Sequence, residues 1–305
     1  MNEHLPPRDW LFHPSSFILH PLISSLPIGI FDSGVGGLTV YRALHERLPN
    51  EHFVYLGDTA RVPYGTKSLS TVERYAIENS KFLEAHGIKL LVVACNTASA
   101  LALPAIRASV GVKVVGVIGP GARAAAKIAG GKKVAVVATE ATVQSGTYAA
   151  AIAQSDPSLL VIERACPLFV PLAEEGWGES DVARAVAEQY LSDLREEDLG
   201  ALVLGCTHYP ILRELISEVV GADVPLIDSG AAAAAEVQAL LESNQLAAQE
   251  SKAGAREREL CDDLDHFYVT DAAERFAKVA ERFLGTAPAV LEAVEVWGHD
   301  ELRTN

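Results

Sequence analysis

Two cysteines stand in matching settings. In LVLGCTHYP, Leu202 to Pro210, Cys206 sits where an apolar run gives way to a segment opened by proline. In VVACNTASA, Val92 to Ala100, Cys95 sits at the same kind of junction 111 positions earlier. Asn96 and Thr97 are residue types favoured at helix N-caps, and proline is favoured in a helix's first turn, so each thiol is expected near the positive end of a helix. That setting lowers a cysteine pKa and enlarges its thiolate fraction. His208, two residues past Cys206, is placed to exchange a proton with it. Taken singly, either cysteine reads better as a small buried hydrophobe at a strand end. Two of them in duplicated polar turns point instead to paired thiol acid/base chemistry, whereas Cys166 and Cys261 lack such surroundings and read as core.

Other residues are candidates by position. In IFDSGVGGLTVYRAL, Ile30 to Leu44, Asp32 ends a strand before a glycine turn and a helix, so it projects at the same strand edge as the cysteines. The turn's amides suit an anion, although a tight connection accounts for the glycines equally well. The pattern is neither G-x-G-x-x-G nor a Walker loop. YLGDTARVPYGTKS places Pro63, Tyr64 and Gly65 in a polar loop that presents backbone amides and a phenol, or that is plain surface. CPLFVPLAEEG ends in Glu174 and Glu175, either of which faces a cleft or is simply exposed, and Asp228 in IDSG reads as a turn residue.

The elements that position these residues follow from periodicity. Apolar runs bounded by Gly, Asp or Asn recur at 28, 53, 90, 114, 134, 159, 201 and 224, with helical patterns such as STVERYAIENSKFLEAHG and ESDVARAVAEQYLSDL between them. Strands apolar on both faces, alternating with helices, predict an α/β architecture with mainly parallel sheets. The segments LLVVACNTASALALPAIRASVGVKVVGVIGPGA and ALVLGCTHYPILRELISEVVGADVPLIDSGA match element by element, which implies an internal duplication. Each half then carries its cysteine at the carboxyl end of a central strand, where open α/β sheets place ligands. Two such edges facing one another make a single cleft with a thiol on either wall. After Gly230 an alanine-rich helix, the polar KAGARERE, a strand HFYVT and a helix AAERFAKVAERFLG return to complete the first half. The expected division is residues 28–119 with 230–286 as one discontinuous domain, 120–229 as the other, 1–27 as an extension outside the fold and 287–305 as a tail.

With 305 residues, 49% hydrophobic and 21% charged, the chain has enough apolar material for two domains. Its net charge of −15 opposes nonspecific attraction to nucleic-acid phosphates or anionic lipid, and no Lys/Arg-rich run offsets it. The four cysteines include no C-x-x-C pair and no Cys/His cluster, so neither a structural metal nor a disulfide framework is expected. The first 27 residues lack a basic n-region and a small-residue cleavage site, and prolines break their apolar run, so neither a secretory signal nor a membrane span is expected there.

Through IGIFDSGVGGLTV, YLGDTARVPYGTKS, VVACNTASA, VATEATVQS, CPLFVPLAEEG, LVLGCTHYP and PLIDSG, from about Ile28 to Gly285, the chain resembles the glutamate racemases of the aspartate/glutamate racemase superfamily. The resemblance implies two similar α/β domains related by a pseudo-two-fold axis, with the active site between them. It implies L/D-glutamate interconversion without a cofactor, Cys95 and Cys206 as the acid/bases, and Asp32, Glu174 and His208 as their assistants. Substrate would be held by Asp32, Ser33, Tyr64, Gly65, Asn96, Thr97, Thr207 and His208. The choice of Glu174 over Glu175 rests on the family's E-x-G spacing. A cytoplasmic homodimer supplying D-glutamate for peptidoglycan is also implied by the resemblance alone.

The chemistry asks for such a site. Inverting an α-carbon removes a proton from one face and returns one to the other, which two thiols on opposite walls do by exchanging roles. One must be thiolate and the other thiol, against a free value near 8.5. The weakly acidic α-proton must be removed without the electron sink of pyridoxal phosphate, and no lysine stands in a setting that implies a Schiff base. Fixed donors such as Asn96, Thr97 and Thr207 must then stabilise the charge that develops. Racemisation of aspartate on the same scaffold, a thiol hydrolase or redox enzyme using one cysteine, and a silent ligand-binding protein are the rival readings.

Overall fold

The computed structural model describes residues 23–248 and 258–297. Within them the strands β1 (Ile28–Asp32), β2 (Phe53–Gly57), β3 (Leu90–Val93), β4 (Lys113–Gly116), β9 (His266–Val269) and β10 (Leu291–Ala293) form one sheet in the order β10-β9-β2-β1-β3-β4. The strands β5 (Lys133–Ala138), β6 (Val161–Ala165), β7 (Leu199–Gly205) and β8 (Leu226–Asp228) form a second sheet in the order β6-β5-β7-β8. All pairings are parallel. Parallel strands carry helices on both faces, and β1, β2, β3 and β7 are accordingly buried along their whole length.

The duplication read from the sequence is present in the topology. The order β2-β1-β3-β4 in one sheet repeats as β6-β5-β7-β8 in the other, so β1 corresponds to β5 and β3 to β7. In both sheets the chain reverses direction of travel between these two central strands, and the crevice outside their carboxyl ends is where such sheets admit ligands. Cys95 follows β3 and Cys206 follows β7, so both thiols lie at this switch point.

The chain crosses between the halves twice, once through the helix Ile118–Ile128 and once through the helix Ser229–Ser243, which packs on both Ile118–Ile128 and the helix Leu38–Arg47. Asp228 opens this second crossing as an N-cap, accepting from Gly230 N–H at 2.8 Å and Ala231 N–H at 3.1 Å, in keeping with a turn role. The returning segment is tied in by Asp265, which accepts from Phe53 N–H at 2.9 Å and from the Tyr41 hydroxyl at 2.7 Å.

Two boundaries differ from expectation. The tail expected from residue 287 instead contributes β10, paired with β9 through Leu291 and Phe267, and buries Val296. A three-residue edge strand with glutamate at its centre leaves no apolar run to read. At the other end, residues 24–27 are not outside the fold. Pro27 C=O accepts from Lys89 N–H at 2.9 Å, and Ser24 C=O accepts from the Lys89 ammonium at 2.6 Å. That buried ammonium pairs with Glu51 at 2.5 Å, so the chain entry is held by a compensated buried charge. Residues 1–22 and most of KAGARERE lie outside the described residues.

Candidate active site

On the first wall, Cys95 caps the helix Asn96–Leu101, and Ala98 N–H donates to its sulfur at 3.5 Å. Asn96 and Thr97 are therefore the first helical residues, not the caps expected of them. Ser33 Oγ lies 3.4 Å from the sulfur. The thiolate expected from the helix end does not follow, because burial, then the neighbouring Asp32 carboxylate, push the Cys95 thiol up to about 12. The bonds from Ser33 and Ala98 oppose that rise, and negative charge on Cys206 adds to it. Charge on one thiol thus disfavours charge on the other.

Asp32 is fully buried at the end of β1. Its Oδ2 accepts from Gly34 N–H at 2.9 Å, while Oδ1 has no hydrogen-bond partner among the described residues. Burial raises its pKa, against the pull of the His208 charge and of amides at Gly37, Gly34 and Ser33.

The second wall is built differently. Cys206 is followed by a 3₁₀ turn, Tyr209–Leu212, before the helix Arg213–Val220, so it does not cap a helix as Cys95 does. What stands beside it is His208, whose Nδ1 is 3.8 Å from the sulfur and whose Nε2 is 3.0 Å from Glu174 Oε1. Burial alone lowers the His208 pKa, but the bonds to Cys206 and Glu174 outweigh it and raise the group to about 10. Burial likewise works to raise Glu174, yet His208 and Arg275 bring it below its ordinary value. The imidazolium and the carboxylate are therefore the prevailing forms at neutral pH. Glu175 reaches only Arg275, at 3.5 Å, so of the two glutamates it is Glu174 that stands next to the histidine.

The walls brace each other. Asn96 Oδ1 accepts from the Tyr148 hydroxyl at 2.7 Å, and Thr97 Oγ1 lies 2.9 Å from Thr139 Oγ1 and 3.3 Å from Thr142 Oγ1. These three partners lie in the helical segment between β5 and β6 of the second half. In return Thr39, beside the first sheet, donates to Thr207 C=O at 2.8 Å, and Phe283 packs edge-on against the His208 ring at 5.9 Å. Arg282 donates to Glu174 C=O from the same helix, Ala273–Leu284. The glycine turn is a joint between the halves: a Cβ at Gly36 would lie 2.3 Å from Thr207 Oγ1 and 2.4 Å from His208 Cε1.

Gly65 approaches the second half closely. A Cβ at Gly65 would lie 2.9 Å from Thr139 Cβ, so this loop touches the opposite wall. The Tyr64 phenol, expected to be presented by the loop, is instead turned into a buried network: it donates to Asp58 and accepts from Asn79 at 3.0 Å. Asp58 also accepts from Arg61 Nε at 2.7 Å and Thr270 Oγ1 at 2.9 Å, which fixes the loop from beneath.

Sequence reasoning missed Thr139, Thr142, Tyr148, Arg275 and Arg282. The first two lie in VATEATVQS, a motif legible in the sequence, but nothing in its spacing assigns them to Thr97. Among the described residues, no three His, Cys, Asp or Glu side chains converge to hold a metal ion, and no helix is long and apolar enough to cross a membrane.

Comparison with known proteins agrees with this fold. The family model described as Asp/Glu/Hydantoin racemase matches residues 28–237. A glutamate racemase of Geobacter metallireducens is 50% identical over 258 residues, covering 85% of this chain and 92% of that protein. Among solved structures, glutamate racemase from Francisella tularensis in complex with D-glutamate superposes with a TM-score of 0.80 at 38% identity, covering 90% of this chain and 98% of that one. A glutamate racemase isoform from Bacillus anthracis gives a TM-score of 0.81 at 36% identity, covering 89% and 98%.

Proposed function

The chain belongs to the Asp/Glu/Hydantoin racemase family, and from that premise we propose that it interconverts L- and D-glutamate without a cofactor, using Cys95 and Cys206 as the two proton carriers. The observation that carries the reading is the pair of thiols at equivalent switch points of two duplicated sheets, each with its own charged neighbour.

Cys95 starts as the thiol, and Cys206 acts as thiolate with its charge balanced by the His208 imidazolium. Glu174 keeps that imidazolium protonated and oriented. In one direction the Cys206 sulfur takes the α-proton while Cys95 delivers its own to the opposite face; in the other the roles reverse. Because negative charge on Cys206 raises the Cys95 thiol, the two sulfurs are not charged together and the pair carries one proton between them. Asp32, whose pKa burial raises, stands beside Cys95 and assists it by orienting the thiol or, as carboxylate, by accepting its proton. Ser33, Gly65, Asn96, Thr97 and Thr207 supply donors to the substrate carboxylates, preorganised so that developing negative charge meets fixed dipoles.

We divide the chain at 119/120 and 229/230, with β10 carried into the first half. We further propose, on the family likeness, a cytoplasmic homodimer that supplies D-glutamate for peptidoglycan.

The test is circular dichroism of L-glutamate incubated in D2O with the protein and no added cofactor, beside Cys95→Ala, Cys206→Ala and an L-aspartate control. The expected result is loss of optical activity with α-deuterium incorporation, abolished by either substitution. Activity on aspartate alone would move the substrate, and full activity in either single-cysteine variant would refute the two-thiol mechanism.

A further inference from the structure

Tyr148 lies on the helix Thr147–Ser155 and is fully buried between the two thiol-bearing turns. Its ring packs on the backbone of Gly205, directly before Cys206: a Cβ there would meet the Tyr148 ring at 3.1 Å. Its hydroxyl, at the other end, donates to Asn96 Oδ1 at 2.7 Å, directly after Cys95. Burial, first among the influences on this phenol, raises its pKa, so it remains a donor throughout the neutral range.

Asn96 is 2% exposed, and its Nδ2 has no hydrogen-bond partner among the described residues. A buried amide nitrogen left unmatched is costly, and asparagine's two ends are chemically opposite, one accepting and the other donating. With the oxygen committed to Tyr148, only the donor end is left over.

We propose that Tyr148 is a positioning residue for the racemase reaction: its hydroxyl fixes the orientation of the Asn96 side chain so that Nδ2 is offered to a substrate carboxylate. This rests on the function proposed above. Without the tyrosine proton the amide loses the contact that distinguishes its ends, and the flipped form presents an oxygen to an anion.

The test uses the full-length protein as Tyr148→Phe, Asn96→Ala, the double variant and Asn96→Asp, assayed with both glutamate enantiomers. Thermal midpoints and the Asn96 side-chain ¹⁵N–¹H₂ signals are recorded alongside. Tyr148→Phe is expected to lower kcat/KM about fivefold to tenfold, the size of one net hydrogen bond. Asn96→Ala is expected to lower it on the order of a hundredfold, as for loss of one preorganised donor. Adding Tyr148→Phe to Asn96→Ala should then cost less than about a further twofold, because the tyrosine acts through the asparagine. Multiplying effects, or wild-type kinetics in Tyr148→Phe, would overturn the proposal. Asn96→Asp keeps an acceptor for Tyr148 but offers no N–H₂; it should be as inactive as Asn96→Ala with a thermal midpoint nearer wild type, and it decides the matter if Tyr148→Phe does not fold. A wild-type protein inert toward glutamate refutes the parent function. The amide signals then still judge this inference, which fails if Tyr148→Phe leaves them unmoved.

Discussion

Replacing Gly36 by alanine puts one methyl group into the joint between the halves. The added carbon would stand 2.3 Å from Thr207 Oγ1, 2.4 Å from His208 Cε1 and 2.5 Å from His208 Nδ1, against an ordinary contact of at least 3.4 Å. The neighbours must therefore retreat by about 1 Å. His208 has little room to do so, since Glu174 holds its far nitrogen and Phe283 its face. Overpacking of this kind costs about 1–3 kcal/mol, which a domain survives. A displacement of about 1 Å at a reacting group costs roughly a hundredfold in rate. The expected outcome is a folded protein with a modestly lowered thermal midpoint and kcat/KM for glutamate reduced about a hundredfold, read by circular dichroism of the substrate. Activity within about threefold of wild type would refute the argument that Gly36 is required by the approach of the second wall.

Glu174→Gln removes the carboxylate that helps raise His208, so its alkaline limb in the pH–rate profile should move to lower pH while kcat falls about tenfold to a hundredfold. Glu175→Gln should stay within about twofold of wild type, because its pair with Arg275 is exposed and worth at most about 1 kcal/mol; equal losses in the two variants would contradict the geometry. Stability should fall on the alkaline side. His208, raised from 6.5 to about 10, contributes fully below its unfolded value and loses that contribution as pH rises through about 10. Cys95, raised from 9.0 to about 12, penalises the folded state over the range between those values and so acts in the same direction. A urea midpoint that holds or rises from pH 7 to 10.5 would contradict this assignment.

Much of the fold was legible because parallel strands leave dense apolar runs, and every run from Ile28 to Val224, with HFYVT, corresponds to an observed strand. The duplication was legible for the same reason, since the cysteine turns lie beside the strongest runs. β10 was not, being too short and too polar. Within the site, Cys95, Cys206, Asp32 and His208 announced themselves through position at strand ends. The bracing did not: Tyr148 meets Asn96 across 52 positions, Thr39 meets Thr207 across 168, and Arg275 meets Glu174 across 101. No local pattern encodes which way a tyrosine points, and the Tyr64 phenol, expected outward, was claimed by Asp58 below. Nor did proline at 210 reveal that a 3₁₀ turn would separate Cys206 from its helix.

The two walls share a topology but not a chemistry: a carboxyl attends one sulfur, an imidazolium and a carboxylate the other. In the proposed reaction the two substrates are mirror images of equal free energy, so the equilibrium constant is one however lopsided the site. Equal free energies force kcat/KM to be identical in the two directions. The asymmetry of the walls can therefore show itself only as a paired change, with one enantiomer both bound more tightly and turned over more slowly than the other by the same factor.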